Sequence, residues 1–150
     1  MFSWFFSIFR KKSAKDRKFV RVSPDAMNPI LVDIIGGNVY DTVNAKDISL
    51  GGVSVTLFNE YKVWKMNKYV DISIKLPGEK SFALKGQVRN KSPQNRDRSF
   101  TIGILFLGID EEARIKLRRY INSRADYSQL SADDSQNNIP VKEILSRTKN

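Results

Sequence analysis

Between residues 30 and 107, apolar and polar side chains alternate in six short runs, and this pattern constrains the fold most strongly. A period of two is typical of β-strands that bury one face. Gly36-Gly37 separates the first two runs and Pro77-Gly78 the fourth and fifth, and both pairs are turn signals. We predict antiparallel strands that form a closed or nearly closed barrel, since closure removes exposed edges. The runs are residues 30–35, 38–43, 53–58, 69–76, 82–88 and 100–107.

After the sixth run the pattern becomes that of a helix. Asp110 is a favourable N-cap, and Glu111 with Glu112 would occupy the first turn, where the helix dipole favours negative charge. Basic residues lie towards the other end, as the dipole also favours. The side chains expected to dock this helix on the barrel are Ala113, Leu117, Tyr120 and Ile121.

Composition excludes several classes of site. The 150-residue chain contains no Cys and no His, which removes thiolate chemistry and the commonest general base and metal ligand. The adjacent acids Glu111 and Glu112 have no base, nucleophile or metal-ligand set beside them. We therefore expect a binding protein that needs no metal, not an enzyme.

Positive charge is concentrated ahead of the predicted barrel. The net charge is +10, and residues 1–24 carry seven basic side chains against one acid, Asp16. An anionic partner is indicated: a phosphorylated small molecule, nucleic acid or an acidic membrane surface. A barrel that binds nucleic acid is the less favoured of these, because the strands show no alternation of exposed aromatic and basic residues.

Residues 1–9 are nearly all apolar and end at a basic run, residues 10–12. This segment is shorter than the roughly 20 apolar residues that a spanning helix needs, and its charges follow the apolar run, unlike those of a signal peptide. As a helix it would present one aromatic side, formed by Phe2, Phe5, Phe6 and Phe9. That side could contact a membrane surface or a protein partner, and the sequence favours neither.

Arg17 and Arg21 lie four residues apart in the basic stretch. A guanidinium offers a planar fork of donors that fits phosphate oxygens or the O6/N7 edge of guanine, and its flat face can stack on a base. The spacing alone is weak evidence, because Arg114 and Arg118 repeat it on the predicted helix.

Asp47, Ser49 and Gly52 form a second candidate motif, Asp-x-Ser-x-x-Gly, at the end of the second strand. Alternation places the Asp47 and Ser49 side chains on one side of an extended backbone. The carboxylate could accept hydrogen bonds from a guanine N–H edge, the hydroxyl could donate to phosphate, and Gly52 would let a ligand approach closely. By itself the motif equally fits a strand that ends in a glycine turn.

Together and in this order, the two motifs resemble the PilZ domain family. The resemblance covers residues 15–124 and includes the Gly-Ile-Leu-Phe-Leu strand at residues 103–107. It implies a mainly β fold, a six-stranded antiparallel split β-barrel with a C-terminal α-helix, and a receptor for cyclic di-GMP whose N-terminal arm wraps over the ligand. By position, Arg17 and Arg21 would bind guanine edges and phosphates, and Asp47, Ser49 and Gly52 would line the barrel side. Asp16 departs from the family pattern, which leaves one or two bound nucleotides open.

We therefore expect three parts: an aromatic and basic segment (1–14), a PilZ-like barrel (15–124) and a polar tail (125–150). The expected protein is a cytoplasmic second-messenger receptor in which the ligand orders the arm and so moves residues 2–9 towards a protein or the inner membrane surface. Two alternatives remain: an adaptor of this fold that does not bind nucleotide, and a nucleic-acid-binding barrel.

Overall fold

The structure, a computed structural model, describes residues 19–125, so Arg17, the aromatic segment and the polar tail lie outside the described residues. Six antiparallel strands close a barrel in the order β1-β2-β3-β6-β5-β4. A helix follows the last strand, so the predicted mainly β barrel with a C-terminal helix is confirmed. The elements are β1 (Leu31–Gly36), β2 (Val39–Ile48), β3 (Gly52–Leu57), β4 (Tyr69–Lys75), β5 (Phe82–Lys91), β6 (Phe100–Phe106) and α1 (Glu111–Arg124).

The turn between β1 and β2 lies one residue later than predicted. Gly36 pairs with Val39, so the turn residues are Gly37 and Asn38, and Gly37 has a φ of 67° that glycine adopts without strain. Gly36 serves packing instead, because a Cβ there would lie 2.8 Å from Cζ3 of Trp64. Glycine is therefore required at these two positions for different reasons: close packing at Gly36 and a positive φ at Gly37.

Trp64 is fully buried although it belongs to the irregular segment between β3 and β4. It packs against Gly36 beside the β1–β2 turn and belongs to the main core. Most of the remaining core comes from the inward residues of all six strands. Sequence periodicity missed Trp64 because this segment has none.

Helix α1 begins as predicted: the Asp110 carboxylate accepts a hydrogen bond from the Ala113 N–H at 2.8 Å. Its apolar face packs on the barrel through Leu117 and Ile121, which join the main core, while Tyr120 is half-buried. No helix among residues 19–125 has the length and apolar character needed to cross a membrane.

Two β-bulges interrupt the barrel. In β2 the register with β3 passes from Ala45 to Asp47 with Lys46 left over. In β5 the register with β6 passes from Val88 to Asn90 with Arg89 left over. A bulge resets alternation, so each one turns two consecutive side chains outward. Ala45 and Ile48 on either side of the β2 bulge stay in the core, as does Val88 before the β5 bulge.

Candidate functional site

A short piece of the N-terminal arm, the residues ahead of β1 that include 15–23, pairs with the end of β2. The N–H of Val22 donates to the Ile48 carbonyl and the N–H of Ile48 donates to the Val22 carbonyl, both at 3.0 Å. This edge of β2 is open to the arm because the β1 side of the ladder ends where Ala45 donates to the Ile30 carbonyl. The arm is thus joined to the barrel at the predicted site by one isolated β-bridge.

The antiparallel register sets which arm residues face the Asp-x-Ser-x-x-Gly motif. With Val22 opposite Ile48, Arg21 lies opposite Ser49 and Phe19 opposite Gly51. The Phe19 ring covers Gly51 so closely that a Cβ on the glycine would lie 2.8 Å from ring Cδ2. Arg21 is exposed and forms no ion pair with any residue between 19 and 125, so its guanidinium is available to a ligand.

Ser49 is nearly buried, with 7% of its surface exposed, and its hydroxyl shapes the turn after β2. The hydroxyl oxygen accepts from the Gly51 N–H at 3.1 Å, and the Ser49 N–H donates to the Gly52 carbonyl at 2.9 Å. A serine hydroxyl has one proton to donate besides its acceptor sites. Ser49 can therefore hold the turn and still donate to a phosphate.

Packing against β6 explains why residue 52 is a glycine, and the sequence alone did not reveal this. A Cβ at this position would lie 2.4 Å from the Ile104 carbonyl oxygen, since β3 and β6 pair tightly here. No side chain fits without moving that backbone. The observed close approach is to β6, and the role of Gly52 towards a ligand stays a prediction.

Of the five predicted site residues, four lie together: Arg21, Asp47, Ser49 and Gly52 border the arm–β2 junction. Arg17 falls outside the described residues, two positions before Phe19. Asp47 is half-buried on the outer face because the β2 bulge turns it away from the core.

The C-terminal end of α1 fastens the root of the arm. The Arg124 guanidinium donates twice to the Ser23 carbonyl, from Nε at 3.1 Å and from Nη2 at 2.9 Å. Just beyond, the Met27 N–H and then the Asn28 amide donate to the Asp25 carboxylate, and these bonds hold its pKa below the usual value. Sequence analysis related the basic residues at this end of α1, which include Arg124, only to the helix dipole.

A row of small residues continues the site across the outer face of the barrel. Asp47 pairs with Ser54, Ser54 with Gly103 and Gly103 with Asn90, so the row crosses β2, β3, β6 and β5. We call Gly52, Ser54 and Gly103 the shelf. Its outer surface is low because two of the three residues have no side chain.

Two other features lie apart from this site. A groove of about 550 Å³ opens where β2 and β3 are not paired, and its charged side chains, Asp41 and Lys46, have opposite signs, which does not favour an anion. Lys91 packs its ammonium 3.7 Å from the centre of the Tyr61 ring, and burial lowers its pKa. Among residues 19–125 no group of acidic, His or Cys side chains could hold a metal ion.

The family model described as the PilZ domain matches residues 15–123. This chain belongs to the PilZ domain family. The matched range contains the arm, the whole barrel and all but the last residue of α1. In this PilZ domain, Arg21 of the first motif and the whole Asp-x-Ser-x-x-Gly motif lie at the arm–β2 junction.

Known proteins similar to this PilZ domain differ in how much of their length it covers. An uncharacterized protein of Aquifex aeolicus is 32% identical in an alignment 117 residues long that covers 72% of this chain and 51% of the relative, so the chain spans about half of that relative. The PilZ domain of Escherichia coli YcgR, solved with c-di-GMP, is 18% identical with a TM-score of 0.60, covering 78% of this chain and 97% of that one. Bacillus subtilis MotI/DgrA, an inhibitor of motility, is 20% identical with a TM-score of 0.58, covering 73% of this chain and 53% of that one. The structural similarities show the same fold.

Sequence reasoning missed three residues that build the site: Phe19, Val22 and Arg124. Phe19 and Val22 lie in the same stretch as Arg21, and their apolar character was a signal that the arm packs on the barrel. Arg124 gave no such signal, because its contact with Ser23 spans 101 positions in the chain.

Proposed function

We propose that this PilZ domain binds cyclic di-GMP and works as a receptor or adaptor, not as an enzyme. The observation that carries the proposal is the Val22–Ile48 bridge, which holds the exposed Arg21 beside Ser49 and Asp47. The ligand class is supported by the family and by the similar Escherichia coli domain that was solved with c-di-GMP.

Each proposed contact follows from the chemistry of the side chain. Arg21, together with Arg17 from the arm, offers guanidinium donors to the guanine O6/N7 edge and to phosphate. Asp47 accepts from a guanine N–H edge, Ser49 donates its hydroxyl proton to a phosphate, and Gly52 leaves the backbone low beside the ligand. The net charge of +10 attracts the two phosphates of the ligand.

The proposed signal is an ordering of the arm ahead of Phe19. Residues 19–23 are already fastened by the Val22–Ile48 bridge and by Arg124, which limits the change to residues before them. A ligand shifts such an equilibrium only if it binds the ordered arm better. In this proposal residues 15–124 form the ligand-binding unit, residues 1–14 carry the aromatic segment, and residues 125–150 are a separate tail.

Isothermal titration calorimetry of the full chain with cyclic di-GMP tests the proposal. The wild type is expected to bind, and Arg21→Ala to bind about a hundredfold more weakly, because charge-assisted hydrogen bonds are worth about 1.5–3 kcal/mol each. Arg114→Ala is the matched control, since Arg114 and Arg118 have the same spacing on α1, and its affinity should be unchanged.

The outcomes separate the alternatives. A wild-type protein that gives no heat with cyclic di-GMP overturns the proposal and leaves an adaptor of this fold. Tighter binding to single-stranded oligonucleotides than to cyclic di-GMP, with a steep salt dependence, would make the protein a nucleic-acid-binding barrel.

The arm mechanism needs its own test. Deleting residues 1–9 should abolish ligand-dependent binding to phosphatidylglycerol vesicles or to a protein partner, because it removes Phe2, Phe5, Phe6 and Phe9. Calorimetry on the same variant should show unchanged cyclic di-GMP affinity. If the deletion leaves vesicle and partner binding and their ligand dependence intact, residues 1–9 do not transmit the signal.

A further inference from the structure

The shelf extends the proposed site away from the arm. The paired row from Asp47 to Asn90 spans four adjacent strands. Strands lie about 4.8 Å apart, so the two polar ends of this row are separated by about 14 Å along the barrel surface. The arm covers the Asp47 end alone, because it pairs at Ile48 on the opposite edge of β2 from the shelf.

The floor of the shelf is shaped for a flat group. Outward positions of a strand normally raise side chains above the sheet, but here they are Ser54 and Gly103, while their chain neighbours point into the core. Leu105 is the next outward residue of β6 and pairs with Gly52, and 39% of its surface is exposed. A planar ring can lie on this floor with Leu105 beside it.

Asn90 stands at the far end of the shelf. The β5 bulge turns Asn90 outward opposite Gly103. A Cβ on Gly103 would lie 3.2 Å from the Asn90 Cβ and 3.3 Å from its Nδ2, so the amide leans over the glycine. Within residues 19–125 this amide has no hydrogen-bond partner, which leaves both its donor and its acceptor for a ligand.

We infer that the shelf receives one guanine base of the ligand and that Asn90 reads its edge. The inference rests on the proposed function, because it names the contact for the base that the arginine end of the site does not hold. The Asn90 amide can donate to guanine O6 or N7, or accept from N1–H and the exocyclic amine. Asn90 is thus a specificity-determining residue, and Gly103, which has no side chain, leaves room for the Asn90 amide beside the ring.

Calorimetry with two ligands tests this inference: cyclic di-GMP and the hybrid cyclic GMP-AMP, in which adenine replaces one guanine. The wild type is expected to prefer cyclic di-GMP at least tenfold. Asn90→Ala should weaken cyclic di-GMP binding about tenfold and make the affinities for the two ligands equal. The reason is that alanine forms no hydrogen bond with the edge of the guanine base on the shelf. Asn44→Ala, an exposed asparagine of β2 outside the row, is the matched control and should keep both affinities.

A second variant tests the floor independently of the amide. Leu105→Ala leaves Asn90 in place and should weaken both ligands equally, by about threefold, because it removes apolar contact without changing the hydrogen bonds. Thermal unfolding of each variant confirms that the barrel is folded.

Two results would overturn the inference, and they are distinguishable. A wild-type protein that binds neither ligand overturns the proposed function and the shelf site together. A wild-type protein that binds cyclic di-GMP, with Asn90→Ala of equal affinity and equal preference, overturns the shelf site alone.

Discussion

The two bulges of the barrel use the same backbone device with different results. β2 and β5 are both ten residues long, and each contains one extra basic residue, Lys46 or Arg89, followed by an outward polar one. The arm pairs with Ile48, just after the β2 bulge, whereas Asn90 at the β5 bulge pairs with Gly103 of the shelf. A bulge can therefore aim a polar side chain outward without removing an apolar one from the core.

In the proposed binding mode, the arm side of the site supplies charge, while the shelf side supplies shape and a neutral amide. Arg21, Asp47 and Ser49 are the proposed ligand contacts on the arm side, and Asn90 with Leu105 are those on the shelf side. Substitutions on the arm side should cost more ligand affinity than those on the shelf side, because charged hydrogen bonds are about twice as strong as neutral ones.

The largest expected effect comes from the glycine nearest the arm side. Gly52→Ala should lower the free energy of unfolding by about 3 kcal/mol, because its Cβ would press into the Ile104 carbonyl oxygen. Gly103→Ala is the control on the shelf side: its Cβ meets the exposed Asn90 side chain, which can move, and the loss should stay below about 1 kcal/mol. Urea denaturation measures both, and equal losses would contradict the packing role of Gly52.

Asp47→Ala and Asn90→Ala compare the two bulges directly. We expect Asp47→Ala to weaken cyclic di-GMP binding by about 3 kcal/mol and Asn90→Ala by about 1.4 kcal/mol, because the first removes a charged acceptor. Calorimetry on both single variants and on the double variant gives the ratio of the two losses of binding free energy and the coupling free energy between Asp47 and Asn90. A larger loss of binding free energy for Asn90→Ala than for Asp47→Ala would contradict the proposal that the arm side supplies the charged contacts and the shelf side mainly shape.

Arg124→Ala tests how the arm root is held. Removing the two hydrogen bonds to the Ser23 carbonyl should lower the free energy of unfolding by about 1 kcal/mol. It should also weaken ligand binding severalfold, because the arm segment that carries Arg21 loses one of its attachments. Arg119→Ala is the control: it is equally exposed on α1 and makes only a 3.7 Å ion pair with Glu79. If both variants bind alike, Arg124 does not position the arm.

The smallest effect is expected at Tyr120. Its hydroxyl is buried and has no hydrogen-bond partner among residues 19–125, and burial raises its pKa. Tyr120→Phe should therefore change stability by less than about 0.5 kcal/mol at neutral pH. Tyr61→Phe should cost more, because the Tyr61 hydroxyl donates to the Ser92 carbonyl at 3.3 Å.

The raised pKa of Tyr120 gives this prediction a pH signature. Above the unfolded pKa of about 10, the unfolded chain loses the tyrosine proton before the folded one does, so wild-type stability falls as pH rises. Tyr120→Phe should lack that part of the decline in thermal unfolding between pH 9 and 11, roughly the range of tyrosine titration. An identical decline in both proteins would mean that Tyr120 is not the group responsible.

Local patterns predicted most of the fold because strands and helix ends are determined by residues that are close together in the sequence. Alternation placed the six strands, and Asp110 marked the start of α1, since an N-cap acts on its own helix. The Asp-x-Ser-x-x-Gly motif could be read because its residues are neighbours.

Features that depend on distant partners could not be predicted. A bulge exists only relative to the strand beside it, so neither Lys46 nor Arg89 signals one. The buried position of Trp64 depends on the space left by Gly36, and the restriction on Gly52 comes from β6. For the same reason the shelf, which is formed from two strands that are far apart in the chain, has no sequence motif.

The attachment of Arg124 to Ser23 has a consequence for building a reporter from this domain. The end of α1 and the root of the arm share one anchor, so a fluorophore at Ser123 stays at a fixed distance from residues 19–23. A second fluorophore placed ahead of Phe19 would then report only the upstream part of the arm. Energy transfer between the two labels would test the proposed ligand-driven ordering of the arm separately from motions of the barrel.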